Sequence, residues 1–315
     1  MIHGDLNNSI WSLKYRPNTV SETILPEATK KMIQEVIASK NIPCFLFDGT
    51  GGIGKTSLAR AIANEMGSDL LFINASLEGN IDTLRITIAQ FVSTVSFSEN
   101  KKIVLLDEAD FLNSQSTQPA LRAFIDEFSS NATFILTCNN KHRIIAPLIS
   151  RLTVVDFKFT KEEKQSAAMS MHKRCCQILD QELIKYEKKT VAALVLKNFP
   201  DFRKTLNQLQ RYSTSGEIDS GILVITDDSA ITDLVQNIKD KDFNKCRQWV
   251  ANNQLDSATF YRSLYDKMLP LLVPAMVPQI ILTIANSQYQ SAQSVDQEIN
   301  QIAAIIQIMQ GAVFK

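Results

Sequence analysis

The sequence has no run of 18 apolar residues, the length a helix needs to cross a bilayer. Its opening stretch, Met1 to Pro17, has no apolar segment fit for a secretion signal. Cysteine is sparse: Cys44, Cys138, Cys175, Cys176 and Cys246 form no CxxC pair, and only His3, His142 and His172 stand beside them. That excludes the usual zinc spacings, and the odd count disfavours a disulfide framework, so reduced and mostly buried thiols are expected. Net charge is also lacking, with 33 basic and 33 acidic residues. No global positive field points to nucleic acid or a membrane surface, so any cationic surface must be confined to one face. A soluble, cytoplasmic-type protein is the expectation.

What is present is apolar material: 45% of the 315 residues are hydrophobic, enough for a sizeable core in about two domains and too much for a disordered chain. In the first half, short apolar runs at Cys44–Phe47, Leu70–Ile73, Ile103–Leu106, Phe134–Thr137 and Val154–Phe157 read as buried strands. Between them lie helical patterns such as Leu58, Ile62, Met66 and Leu121, Phe124, Ile125, Phe128. Strand–helix alternation predicts a parallel sheet covered on both faces. Beyond Thr160 the strand signal fades. Lys161–Asp180 and Lys189–Tyr212 read as helices, with Pro200 where a first turn can accept it. Ser213–Asp228 is turn-rich, and the pattern from Ala230 onward is helical, broken by Pro270, Pro274 and Pro278. The expected division is an α/β domain over 1–160, a small helical domain over 161–228 and a C-terminal helical domain over 229–315.

The segment Gly49-Thr50-Gly51-Gly52-Ile53-Gly54-Lys55-Thr56 fits GxxxxGK(S/T) at every fixed position, after a strand and before a helix ending at Gly67. Its glycines let successive N–H groups converge on phosphate oxygens, and the helix N-terminus adds partial positive charge there. Gly52, Ile53, Gly54, Lys55, Thr56 and Ser57 are therefore the candidate phosphate cradle, with Lys55 bridging the β- and γ-phosphates and Thr56 ligating Mg²⁺. Further on, Ile103–Leu106 leads into Asp107-Glu108. An acid at the C-terminal edge of a strand beside the loop can hold Mg²⁺ through its water shell, which suits Asp107. Glu108 suits the base that polarises an attacking water, and so hydrolysis rather than transfer to an acceptor. Residues 107–110 also spell the Asp-Glu-Ala-Asp of one helicase class, but that class needs a second α/β domain where this chain turns helical.

With these motifs in place the chain resembles the AAA+ ATPases and, within them, the sliding-clamp loaders of bacteriophage type. Trp11-Ser12-Leu13-Lys14-Tyr15-Arg16-Pro17 resembles the clamp-loader N-terminal box, Thr137-Cys138-Asn139 the sensor-1 strand, Ser150-Arg151 the Ser-Arg-Cys box and Phe199-Pro200-Asp201-Phe202-Arg203-Lys204 the sensor-2 helix. Leu152 stands where that family usually has cysteine, which is not the charged residue of the box. The resemblance covers residues 11 to about 212 and implies roles. Asn139 would position the water or touch the γ-phosphate. Arg203 would reach the γ-phosphate from the lid. Arg151 would be an arginine finger acting on the ATP of a neighbouring subunit. Ser12, Leu13, Lys14 and Tyr15 would meet adenine and ribose, with Ile24 as an apolar wall.

It further implies a spiral of several copies of this chain with a distinct fifth subunit, a ring-shaped clamp as partner, and primer–template DNA held without sequence readout. ATP and Mg²⁺ are the implied cofactors, and the host cytoplasm the implied setting for a viral protein. Asn80–Arg85 and the helix starting near Ser116 are candidate DNA contacts, with Gln118 and Arg122 coupling DNA to the catalytic acids. The competing readings are another AAA+ DNA motor (a branch-migration helicase or helicase loader), a small-molecule P-loop kinase, and a scaffold subunit with a decayed site. Lys55, Thr56, Asp107 and Glu108, all present, argue against the last.

Overall fold

A computed structural model describes residues 9–77, 81–94, 101–214, 216–219, 222, 229–253, 255–294 and 296–315. His3, Asn80 and most of the turn-rich 213–228 stretch lie outside these. The chain forms two compact units, 1–222 and 223–315.

The first unit is built on the five expected strands, β1 (Phe45–Asp48), β2 (Leu70–Asn74), β3 (Lys102–Asp107), β4 (Ala132–Cys138) and β5 (Thr153–Asp156). They form one parallel sheet in the order β2-β3-β4-β1-β5. Every residue of β1 and β4 is buried, which is why these strands read as continuous apolar runs rather than alternating ones. Alternate side chains feed two cores. Leu46, Val104, Leu106, Phe134 and Leu136 pack on one face against Leu84 and Ile88 of a helix at Ile81–Ser93, and against Leu121 and Phe124 of another at Thr117–Phe128. Phe45, Phe47, Ile103, Leu105 and Ile135 pack on the other against Leu58, Ala59 and Ile62.

The helices of this unit are α1 (Trp11–Lys14), α2 (Glu27–Ala38), α3 (Lys55–Met66), α4 (Ile81–Ser93), α5 (Thr117–Phe128), α6 (Ala146–Ile149), α7 (Lys161–Gln181), α8 (Lys188–Asn198) and α9 (Phe202–Ser213). The loop into α3 is left-handed at Gly54, with φ +105°, and α3 ends on left-handed Gly67, with φ +60°. Helix α7 opens on a capping box in which Thr160 Oγ1 accepts from Glu163 N–H and Glu163 Oε2 accepts from Thr160 N–H. The expected helical stretch from Lys189 to Tyr212 is two helices. Pro200 lies between them rather than in a first turn: its peptide bond with Phe199 is cis, and Asp201 is the N-cap of α9. A two-residue parallel pair, β6 (Lys185–Tyr186) with β7 (Glu217–Ile218), also escapes sequence reading, being too short for any period to register.

The second unit holds α10 (Ser229–Lys239), α11 (Phe243–Asn252), α12 (Ser257–Met268), α13 (Val277–Ser291) and α14 (Gln297–Gly311). Trp249, Phe260, Tyr261, Leu264, Ile280 and Ile308 share its core. The prolines act as punctuation: short 3₁₀ turns occupy Leu269–Leu271 and Pro274–Met276, and Pro278 sits in the first turn of α13. Among the described residues no helix is long and apolar enough to cross a membrane.

Candidate nucleotide site

Parallel strands end on one edge of the sheet, and the sequence between β1 and β5 makes that edge polar. The glycine-rich loop follows β1, Asp107 closes β3, and Asn139 lies just past β4. Lys55, the first residue of α3, is buried, and its Nζ donates to Gly49 O (2.6 Å), Thr50 O (2.9 Å) and Asn139 Oδ1 (2.9 Å). Thr56 Oγ1 donates to Asp107 Oδ1 at 2.6 Å, and Thr137 Oγ1 donates to the same oxygen at 2.7 Å. One carboxylate thus gathers two hydroxyls from two elements. Glu108 takes a left-handed conformation, φ +58°, which a glutamate adopts only when its surroundings enforce it. Its N–H donates to Thr137 Oγ1 (3.1 Å), so Thr137 supports both acids at once. Asp110 Oδ2 accepts from Asn139 N–H at 3.3 Å and is itself buried.

Burial holds the Lys55 ammonium below a lysine's ordinary value, while Asp107, Asp110 and Asp48 work against that shift. A partly desolvated cation with acids on one side suits an incoming polyphosphate. Among the described residues, no group of three or more His, Cys, Asp or Glu could cage a metal by itself. The touching oxygens of Thr56 and Asp107 instead fit Mg²⁺, which takes one or two protein ligands and completes its shell with water and phosphate.

The cavity above this edge is closed by the N-terminal box and by α7 and α9. Ser12, Tyr15, Ile24, Gly52, Ile53, Gly54, Lys55, Thr56, Ser57, Asp107, Glu108, Asn139 and Arg203 all line it. Leu13 and Lys14 do not. Leu13 O accepts from Arg16 N–H, and Lys14 Nζ reaches Glu182 Oε1 (2.7 Å), which also accepts from Tyr15 Oη (2.6 Å). The box is therefore moored to the end of α7, and Trp11 N–H donates to Gln210 Oε1 of α9 (2.9 Å).

Arg151 is outside the cavity. It is exposed, with Nε donating to Asp126 Oδ1 (2.7 Å) and Nη1 to Pro147 O (2.8 Å). Gln118 is wholly buried, donating to Leu112 O and Arg143 O and accepting from Ile145 N–H, while Arg122 and Arg85 are exposed.

Two cationic residues that line the cavity were missed from sequence. Arg16 lines the cavity with a buried Nε that has no hydrogen-bond partner among the described residues. Burial, then the like charges of Arg60 and Arg203, lower its proton affinity, and only Asp107 opposes them. It lies within the N-terminal box, so the signal was there to be read. Arg174 of α7 also lines the cavity, and no local pattern marks it.

Two stretches of the chain match known families. Residues 45–160 match the ATPase family associated with various cellular activities (AAA). Residues 163–224 match the AAA+ ATPase lid domain of sliding-clamp-loader large subunits. The chain is 35% identical to the sliding-clamp-loader large subunit of Enterobacteria phage T4 over 92% of both chains. It is 33% identical to the replication factor C small subunit of Archaeoglobus fulgidus over 77% of both. Among solved structures, the RuvB Holliday junction branch migration motor of Thermotoga maritima superimposes with a TM-score of 0.53 at 17% identity, over 71% of this chain and 78% of that one, a likeness of fold alone. With lid, P-loop domain and near full-length identity in agreement, the chain belongs to the AAA+ sliding-clamp-loader family.

Proposed function

We propose that this chain is the ATPase subunit of a DNA-polymerase sliding-clamp loader, with ATP binding holding a ring-shaped clamp open and primer–template DNA triggering hydrolysis and release. The observation that carries it is the near full-length identity to the T4 large subunit. The convergence of Lys55, Thr56, Asp107, Glu108 and Asn139 on one sheet edge supports the chemistry. In this reading the loop N–H groups and Lys55 take the β- and γ-phosphates, and Tyr15 with Ile24 brackets the base. Thr56 and Asp107 hold Mg²⁺, which when bound screens phosphate charge. Glu108 draws a proton from the attacking water, Asn139 orients that water, and Arg203 neutralises the γ-phosphate from the lid. The reading divides the chain into the P-loop domain 1–160, the lid 161–228 and the oligomerising collar 229–315.

Arg151 has no phosphate of its own to serve, since it lies outside its own cavity. The assembly is a ring of copies with one different subunit, in which each Arg151 completes a neighbour's site as the charge on the γ-phosphate spreads. DNA held inside the ring, contacted by α4 and α5, reports through Gln118 to the acids. The host cytoplasm is the setting this implies. A branch-migration motor rests on fold likeness only. The deciding experiment is ATP turnover of the assembled loader with and without primed DNA and clamp. Turnover that ignores both, or DNA unwinding without a clamp, overturns the reading.

A further inference from the structure

The glycine-rich motif demands glycine at 49 and 54 but leaves position 52 open, and the structure gives that position a reason. Gly52 O accepts from Phe202 N–H (3.1 Å) and Arg203 N–H (3.4 Å), the first two donors of α9. The third, Lys204 N–H, is taken by the capping Asp201 Oδ1 at 2.8 Å. With Asp201 N–H donating to Asn198 O (2.8 Å), all four donors a helix start leaves unpaired are satisfied, two of them by the phosphate loop itself. The approach is close. A Cβ at Gly52 would stand 1.9 Å from Asp201 Oδ1, and Gly52 is in addition left-handed, with φ +73°. The Asp201 carboxylate therefore rests on the loop where any side chain would push it away, and Arg203, two residues on, lines the cavity.

We propose that Asp201 is a positioning residue: it caps α9 and seats that helix on the Gly52 carbonyl, which aims Arg203 at the phosphates. The inference rests on the nucleotide reading above and deepens it. Asp201 itself touches no nucleotide. It acts through register, because a helix start held by one carbonyl on the loop cannot slide along its axis without breaking both bonds. Loop and lid move as a pair while the seat holds.

The test is a double-mutant cycle in the full-length chain. Dissociation constants for a non-hydrolysable ATP analogue and for ADP are measured for wild type, Asp201→Ala, Arg203→Ala and the double variant. Asp201→Ala is expected to weaken the triphosphate by about three- to tenfold and ADP by less than about twofold, because the lost contact falls on the γ-phosphate. On the Arg203→Ala background the same change should cost less than about twofold for either nucleotide. Asp201→Asn, which keeps the capping oxygen, should restore wild-type binding. If Asp201→Ala proves poorly folded, Asp201→Ser carries the cycle, since serine caps with a shorter reach that leaves the Gly52 contact.

Equal losses of ATP analogue on both backgrounds would make Asp201 a structural cap and no more, and equal losses of ATP and ADP would say the same. Failure of the nucleotide reading looks different: the wild-type chain then binds neither nucleotide.

Discussion

The sheet edge around Asp107 and the surface around Arg151 both carry charges assigned to the same reaction, yet they are built on opposite terms. At the edge all but the exposed Asn139 are buried or half-buried, and the groups are tied to one another, with Thr56 and Thr137 on one carboxylate oxygen and Lys55 on Asn139. Such groups are held in place before a substrate arrives, and burial strengthens their interactions. Arg151 instead lies in solvent on a single acid, an arrangement that holds it weakly and costs little to undo. On the proposed reading, chemistry within the chain would be preorganised, whereas chemistry on a neighbour would be held in reserve on a side chain that can change partners.

Arg151→Ala tests that contrast most severely. In the assembled loader it should lower DNA-stimulated turnover by about 10³–10⁵-fold, the range known for such fingers. Nucleotide affinity of the isolated chain should stay within about twofold, because Arg151 is absent from its own cavity. A normal turnover number in the assembled variant would leave the surface without a catalytic part. Glu108→Gln comes next. It keeps the shape of a side chain whose backbone is already forced left-handed, removes the base, and should cut turnover by about 10²–10⁴-fold with ATP binding retained. Loss of binding as well would mean that Glu108 supports the loop instead.

A third test concerns packing rather than chemistry. Gln118 spends three hydrogen bonds inside the protein, tying the start of α5 to the segment around Arg143 and Ile145. Gln118→Ala removes one buried and two part-buried hydrogen bonds, so unfolding free energy should drop by about 1–3 kcal/mol in chemical denaturation.

The burial of Gln118 marks where sequence stops being legible. The three central strands β3, β4 and β1 and the cradle were readable because burial on both faces leaves an apolar run, and because phosphate binding demands glycines at fixed local spacing; the edge strands β2 and β5 are less buried but keep short apolar runs. Gln118 sits in an amphipathic helix like any surface glutamine, and nothing local says that three backbone groups converge on it. The same holds for Arg174 and Glu182, which reach the N-terminal box across more than 150 positions of chain. Asp201 was read as one letter of a helix motif, and its contact with Gly52 exists only once lid and loop are folded together. Arg151, by contrast, was recognisable from its box while its partner Asp126 was not. Local pattern reports what a residue is for when neighbours in sequence do the work, and falls silent when neighbours in space do.

Arg16 offers a smaller effect with an unusual sign. Its Nε is buried without a partner among the described residues, and two other guanidiniums press on it, so the free protein keeps it at a cost. Arg16→Gln should weaken ATP by about tenfold while leaving the melting temperature of the nucleotide-free chain unchanged or higher. A clear fall in that temperature would show that Arg16 is structural.

The smallest effect expected is at the acid that holds Arg151. The hydrogen bond from Arg151 keeps the Asp126 carboxyl below its ordinary value and the guanidinium above its own, so both are charged at any pH the loader meets. On the finger reading, a neighbour's γ-phosphate would compete with that carboxylate. Because the pair is solvent-exposed, the competition is mild: Asp126→Asn should raise stimulated turnover of the assembled loader by less than about fivefold. About 0.5 M salt should shrink the difference between variant and wild type, since screening weakens an exposed pair regardless of the mutation. The direction is what matters. A rise places Asp126 as a resting partner that gives up the finger on assembly, whereas a fall means that the carboxylate aims the guanidinium, and the surface around Arg151 is then as preorganised as the sheet edge it serves.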